Sequence, residues 1–366
     1  MSKWAIRYLI ILRGATVEDI GLPRAIKEDI HKFQMQGFAE EHFRKHKKRQ
    51  GIFKRRTLVG DVLSFQKEPI VTSLLKISKD NTAAVNVFKN VLRFMGLLDS
   101  SKFSPSAIAK QVAETGVENP ELRDEIYCQL CKQTRANPDV VSNMLAWKLF
   151  ALCSCVFAPT RGFESYLLSY MSQNCHGSPD LVSLIIFCIW RVNRTMRFGP
   201  MKQPLTLPQI DEVAEDGIPF KYVSFGCSLR LLMKCQENAS VESPVPVVLR
   251  NLTDACIAAG GLKTTGIFRR TGDKSMIDAL VASLETGNLE AKSDDPLVLA
   301  DVIKIWFREM YPRILSSEAS KLAMSVSDKP DKYPAVLGML DSYQMAALDH
   351  LLHFAALISK NSVVTR

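Results

Sequence analysis

Apolar residues recur three and four positions apart along most of this chain, and strand-like alternation is scarce. That periodicity predicts an all-α protein. Ala84, Val87, Phe88, Val91, Leu92 and Met95 form one stripe, closed by Gly96, a natural C-cap. Asn119-Pro120-Glu121 opens a second helix, read as amphipathic, through Ile126, Cys128 and Leu130. A third begins near Ser142, runs through Trp147, Phe150 and Cys153, and stops before Pro159. Leu181 to Trp190 is too short to span a membrane and is followed by Arg191, so it reads as a buried helix. Farther on, Asp295-Pro296 places a capping residue before a first-turn proline. Leu299, Val302, Ile303, Trp306, Phe307 and Met310 then make an apolar stripe, with Asp301, Lys304 and Arg308 on the opposite face.

Punctuation divides the chain. Gly199-Pro200, Pro204 and Pro208, with acidic Asp211, Glu212, Glu215 and Asp216, mark a linker at 206–221. Two helical domains are expected on either side, at 57–205 and 222–366. Residues 1–56 are a basic arm, with 14 Lys/Arg against 6 Asp/Glu. The rest of the chain is nearly balanced, at 33 against 32. The arm's cations gather in Arg44-Lys45-His46-Lys47-Lys48-Arg49 and Lys54-Arg55-Arg56. A solvated linker helix is the plain reading, and Phe33, Phe38 and Phe43 give it a stripe for packing as a helical lead-in. The same charge also suits an anionic membrane surface or an acidic protein face.

The composition, 366 residues with 47% apolar and 23% charged, is that of a soluble globular protein. Tyr8 to Leu12 lacks the long apolar region and cleavage site of a signal peptide. The nine cysteines lie mostly inside apolar runs, as reduced thiols of the cytoplasm do. Cys128-Gln-Leu-Cys131 has CxxC spacing but no second pair, and the six histidines form no ligand cluster, so neither metal nor cofactor is expected. Gly272-Asp273-Lys274-Ser275 lacks the second glycine of a nucleotide-binding loop, and no G-x-S-x-G elbow is found.

One segment carries chemistry: Lys263-Thr264-Thr265-Gly266-Ile267-Phe268-Arg269-Arg270-Thr271-Gly272. Glycines bound an apolar turn, Ile267 and Phe268 can plug into a core, and Arg269 is offered outward. A planar fork of donors on a rigid loop suits a phosphate that gains charge in a transition state. Gly266-Ile267-Phe268-Arg269 resembles the arginine-finger loop of Rho-family GTPase-activating (RhoGAP) domains. Phe225-Gly226-Cys227-Ser228-Leu229 resembles the opening of such domains, and Val245-Pro246-Val247-Val248-Leu249 the helix behind the finger. Lys304 and Arg308 match a signature lysine and arginine four apart. Glu309-Met310-Tyr311-Pro312-Arg313-Ile314-Leu315 keeps the following glutamate and displaces a proline. Leu340-Asp341-Ser342-Tyr343-Gln344 puts Gln344 where the family has an asparagine, and Thr265 stands where it usually has glutamate.

The first domain resembles the MyTH4 module of unconventional myosin tails. The likeness runs through Pro69-Ile70-Val71-Thr72-Ser73-Leu74-Leu75, Arg93-Phe94-Met95-Gly96, and Pro120-Glu121-Leu122-Arg123-Asp124-Glu125-Ile126-Tyr127-Cys128-Gln129-Leu130. It continues with Lys132-Gln133-Thr134, Asn137-Pro138 and Phe157-Ala158-Pro159. MyTH4 followed by RhoGAP, without a FERM domain between, resembles the C-terminal half of the Vilse/CrossGAP type of Rho GTPase activators.

The resemblance implies a GTPase activator that is not itself a hydrolase. Arg269 would be the finger, entering the site of a GTP-bound Rho-family GTPase of the Rac or Cdc42 class. Lys304, Arg308 and Gln344 would support the finger and touch the GTPase. The alternative is a scaffold whose MyTH4 domain binds microtubules or another cytoskeletal partner beside a silent GAP fold. Nucleic acid is not expected as a partner, and a cytoplasmic, cytoskeleton-associated location is. The RhoGAP family continues beyond the position of Arg366, so an incomplete GAP core is expected, with apolar surface exposed near Leu351 to Leu357.

Overall fold

The computed structural model describes residues 12–44, 47–50, 53–56, 62–76, 81–200, 208, 210–211, 224–285 and 288–361. These fall into two bodies, and both are helical. The first holds the described residues from 22 to 211, and the second residues 12–21 together with 224–361. Most of the expected linker at 206–221 lies outside the described residues.

Val17–Ile20 forms α1, which belongs to the second body. The first body begins with α2 (Arg24–Glu28) and α3 (Met35–His42), followed by β1 (Lys47–Gln50) and β2 (Phe53–Arg56). Its bundle is α4 (Asn81–Phe94), α5 (Pro105–Glu118), α6 (Arg123–Thr134), α7 (Val140–Val156), α8 (Arg161–Gln173) and α9 (Pro179–Phe198). The stripe read from Ala84 to Met95 is buried. Its helix ends in a left-handed cap, with Gly96 N–H on Arg93 O at 3.0 Å and Leu97 N–H on Leu92 O at 2.9 Å. The apolar run at 181–190 lies inside α9, buried from Ser183 to Thr195. Among the described residues no helix is long and apolar enough to cross a membrane.

The structure departs from the sequence pattern at two places. The basic run is not a linker helix: β1 and β2 pair antiparallel, with Lys47 opposite Arg56, Lys48 opposite Arg55 and Arg49 opposite Lys54. Gly51, between the two runs, is a poor helix residue, and a charge at nearly every position erases the 3.6-residue period. The aromatic lead-in before it is helical, and the Phe38 ring packs 4.6 Å from Phe163 on α8. The expected arm at 1–56 is therefore not one segment, because residues 12–21 and 22–44 enter different bodies.

The second departure concerns α6, which is buried from Glu125 to Thr134 instead of amphipathic. Its polar residues hold an extended segment. Glu125 accepts Leu74 N–H at 2.9 Å and Leu75 N–H at 2.7 Å, and also the Gln129 amide at 2.8 Å. Lys132 donates to Val62 O at 2.7 Å, and Gln133 exchanges bonds with the Gln66 backbone at 3.2 and 2.9 Å. Spacings of four, seven and eight put these side chains along one stripe, where they bond one side of residues 62–76, while Leu74 O and Lys76 N–H pair with Arg44 N–H and His42 O at 2.8 and 3.3 Å. Burial pushes the Glu125 carboxyl up, against the backbone bonds that favour its charged form. Cys128 and Cys131 are buried and free, their thiols pushed up by the same desolvation.

The second body contains α1, α10 (Leu229–Asn238), α11 (Val247–Ala258), α12 (Lys274–Glu285), α13 (Pro296–Glu309), α14 (Ser317–Ser325), α15 (Tyr333–Leu337) and α16 (Ser342–Ser359). Helix α13 is its axis, capped by Asp295 on Leu297 N–H at 2.8 Å as the sequence predicts. Trp306 lies in the core and donates to Ser224 O at 2.8 Å. The N-terminal segment is built into this body. Leu12 and Ile20 are buried, and Asp19 takes Thr16 N–H at 2.8 Å and the Lys234 ammonium at 2.7 Å. Ser228 donates to Asp19 O, and Asn238 to Arg13 O at 2.8 Å.

Two outcomes follow from these anchors. Glu125→Ala strands two backbone N–H groups and is expected to cost about 2–4 kcal/mol, seen as a lower urea midpoint by Trp147 and Trp190 fluorescence. Burial would raise the Asp19 pKa, but the Lys234 ammonium and the Thr16 bonds outweigh it and hold the carboxyl below 3.8. A depressed carboxylate stabilises above its unfolded pKa and loses that effect as pH falls through the folded one. The urea-midpoint gap between wild type and Asp19→Asn should therefore be full above pH 3.8 and close below it.

Candidate functional site

The arginine loop spans 264–272, between a 3-10 turn at Gly261–Lys263 and α12. Gly266 has φ +67°, a left-handed conformation that side-chain-bearing residues resist. Its carbonyl accepts the N–H groups of both Arg269 and Arg270 at 2.8 Å, so the backbone under the arginines is a closed turn. Ile267 plugs into the core, as the sequence predicts. Phe268 does so only in part. It is 38% exposed, and its ring meets Phe354 of α16 edge-on at 6.1 Å. Arg269 and Arg270 are exposed, and among the described residues the Arg269 side chain has no hydrogen bond or ion pair.

The loop is fastened to α13 at two points. Gly272 N–H donates to Asp301 Oδ2 at 2.8 Å. Asp301 Oδ1 holds Lys304 Nζ at 2.6 Å, and the same ammonium reaches Phe268 O at 3.3 Å. Gly272 has an ordinary φ, so its role is steric. A Cβ there would lie 2.6 Å from Val298 N and 2.9 Å from Val298 Cα. Beyond it, Asp273 accepts from the Ser275 hydroxyl and from Met276 N–H at 3.0 Å, bonds that hold its carboxyl below the usual range.

The structure sorts the four expected residues. Arg269 projects from the loop, and Lys304 braces its backbone. Arg308, one turn along α13, is exposed and among the described residues makes no hydrogen bond or ion pair with the loop. Gln344 does not support the loop. Its Nε2 donates to Ile314 O at 2.9 Å and its Oε1 accepts Asp341 N–H at 2.9 Å. The reason is local: Asp341 and Gln344 form a capping box at the start of α16, which commits the amide to its own helix end. From sequence Asp301 is one member of a polar face, and its i,i+3 pairing with Lys304 is a signal that ordinary surface helices share. The apolar exposure expected near the chain's last helix is present, with Leu352 58% and Leu357 39% exposed.

Residues 109–214 match the MyTH4 domain, and residues 246–366 match the RhoGAP domain. The kinesin-like protein KIN-14E of Arabidopsis thaliana is 33% identical over 178 residues, covering 46% of this chain and 14% of that protein. The kinesin-like protein KIN-14I of Oryza sativa subsp. japonica is 32% identical over 200 residues, covering 53% of this chain and 15% of that one. Among solved structures, the MyTH4-FERM MF1 domain (mutant 2) of Dictyostelium discoideum myosin VII is 25% identical, with a TM-score of 0.45. That match covers 53% of this chain and 40% of the other. This chain thus spans well under two thirds of each of these proteins.

The contact of Gly272 with α13 yields a direct test. Gly272→Ala drives a methyl into the Val298 backbone, an overpacking expected to cost about 1–3 kcal/mol. Trp306 fluorescence during urea unfolding should report it, whereas Thr271→Ala beside it, at an exposed position, should leave the midpoint unchanged.

Proposed function

We propose that this chain, which carries a MyTH4 domain followed by a RhoGAP domain, accelerates GTP hydrolysis by a Rho-family GTPase of the Rac or Cdc42 class. Arg269 enters the partner's nucleotide site. The observation that carries this reading is an exposed guanidinium, free of internal partners among the described residues, on a loop whose backbone is tied down on both sides of it.

In phosphoryl transfer, negative charge spreads over the transferring group and the leaving oxygen. A guanidinium delivered from outside offsets that charge in a site closed to water. The gain is roughly 10³–10⁵ in rate, or about 4–7 kcal/mol. A lysine is a point charge and spans two oxygens poorly. No proton is taken by Arg269, and no covalent intermediate forms on this chain. It contributes charge, shape and exclusion of solvent, and the bond is broken in the partner's site. Lys304 is engaged with Asp301 and Phe268 O and acts on the loop, while Arg308 is left to meet the GTPase surface.

A second role is favoured by the relatives, whose names are those of kinesin-like proteins and myosins. The MyTH4 domain would place the activator on the cytoskeleton, in the cytoplasm, through microtubules or another filament-bound partner. The two roles are compatible, and a scaffold with a silent GAP fold is the rival.

Single-turnover hydrolysis by GTP-loaded Rac, Cdc42 and Rho separates these readings. Arg269→Ala should lose roughly 10³–10⁵ of the acceleration while pull-down of the GTP-bound partner persists. A variant as active as wild type sinks the catalytic account. Wild type that accelerates none of the three, yet cosediments with microtubules, establishes the scaffold instead.

A further inference from the structure

We infer that Asp301 is the positioning residue of the arginine loop, an assignment that rests on the role proposed for Arg269. Asp301 is 7% exposed on α13, and its two oxygens reach the loop by two routes, one direct and one through Lys304. Oδ2 takes Gly272 N–H directly at 2.8 Å, and Oδ1 takes Lys304 Nζ at 2.6 Å. Lys304 carries that hold onward to Phe268 O at 3.3 Å. One carboxylate therefore fixes the backbone immediately before Arg269 and three residues after it.

The two ties differ in kind. The Gly272 tie is a neutral donor on a nearly buried anion, short and direct. The Phe268 tie depends on the carboxylate's charge, because the Lys304 side chain is 41% exposed and has water as its alternative. Without a negative oxygen beside it, the ammonium turns outward and Phe268 O loses its donor. The closed turn on Gly266 O survives, but it can then rock as a unit against α13. Arg269 would still reach a partner, though with its guanidinium spread over many positions. Such a loss lowers the rate of the bound complex far more than its affinity, because positioning acts on the reacting geometry.

The test uses the whole chain. GTP-loaded Rac is mixed with increasing amounts of wild type, Asp301→Ala, Asp301→Asn or Arg269→Ala, and the single-turnover rate is read at saturation and at half-saturation. Asp301→Ala should lower the saturating rate at least tenfold while moving the half-saturating concentration less than threefold. Asp301→Asn keeps an acceptor for Gly272 N–H and loses the charge, so its rate should fall between the two. It also serves where the alanine variant does not fold, as judged by Trp306 fluorescence.

A second readout is independent of activity. Trypsin should cut after Arg269 and Arg270 at least tenfold faster in the Asp301 variants, with cleavage elsewhere unchanged. An Asp301 variant with wild-type saturating rate and wild-type trypsin sensitivity overturns the assignment. A fully active Arg269→Ala defeats the finger reading alone, and the trypsin comparison then still decides whether Asp301 holds the loop.

Discussion

A buried carboxylate that receives backbone N–H groups from irregular chain or from a helix start is the interaction on which both bodies depend. Irregular chain laid against a helix has no ladder to bond to, and a buried N–H without a partner costs as much as a lost hydrogen bond. Glu125 meets that need for residues 74 and 75, Asp301 for the arginine loop, and Asp19 for its own helix start while it grips Lys234. In the first body the anchor is surrounded: Gln129, Lys132 and Gln133 extend it along the helix, and all are buried. In the second body a single nearly buried acid holds a loop that is itself exposed. The same device gives a rigid wall in one case and a presented side chain in the other.

The cations of the second body differ in freedom. Lys304 is held by Asp301, Arg269 has a tethered backbone and a loose side chain, and Arg308 stands in solvent. Fixing a long side chain costs roughly 2 kcal/mol of rotamer entropy, and fixing a residue's backbone about 1–2 kcal/mol more. For Arg269 the backbone share has been met in folding, so in the proposed docking only the side chain is left to order. Arg270, next to it on the same turn, shares the tether, and the finger role is proposed for Arg269 because it closes the Gly-Ile-Phe-Arg run.

Much of this was legible from the order of residues. The apolar stripe from Ala84 to Met95, the cap at Asp295 and the outward Arg269 all follow from rules that act within one or two turns of chain. The failures have physical causes of two kinds. Polar residues that face extended backbone have the same helical spacing as polar residues that face water, so the ladder on α6 looked like a solvent face. Competing partners are the other cause. Gln344 sits where contact with the arginine loop was expected, but its Oε1 is taken by Asp341 N–H at its own helix start and its Nε2 by Ile314 O. Spacing alone carries no information about Asp19 and Lys234, which meet across 215 residues.

That last pairing makes the second body discontinuous: residues 12–21 are translated before the first body's described residues 22–211, and the second body's remainder after them. At typical synthesis rates of 5–20 residues per second, Leu12, Asp19 and Ile20 wait roughly 10–40 s for Ser228 and Lys234 to emerge from the ribosome. Throughout that interval two apolar side chains and an acid lack the partners they have in the folded body. It also means that a domain excised from 224 onward would carry an empty slot in place of α1.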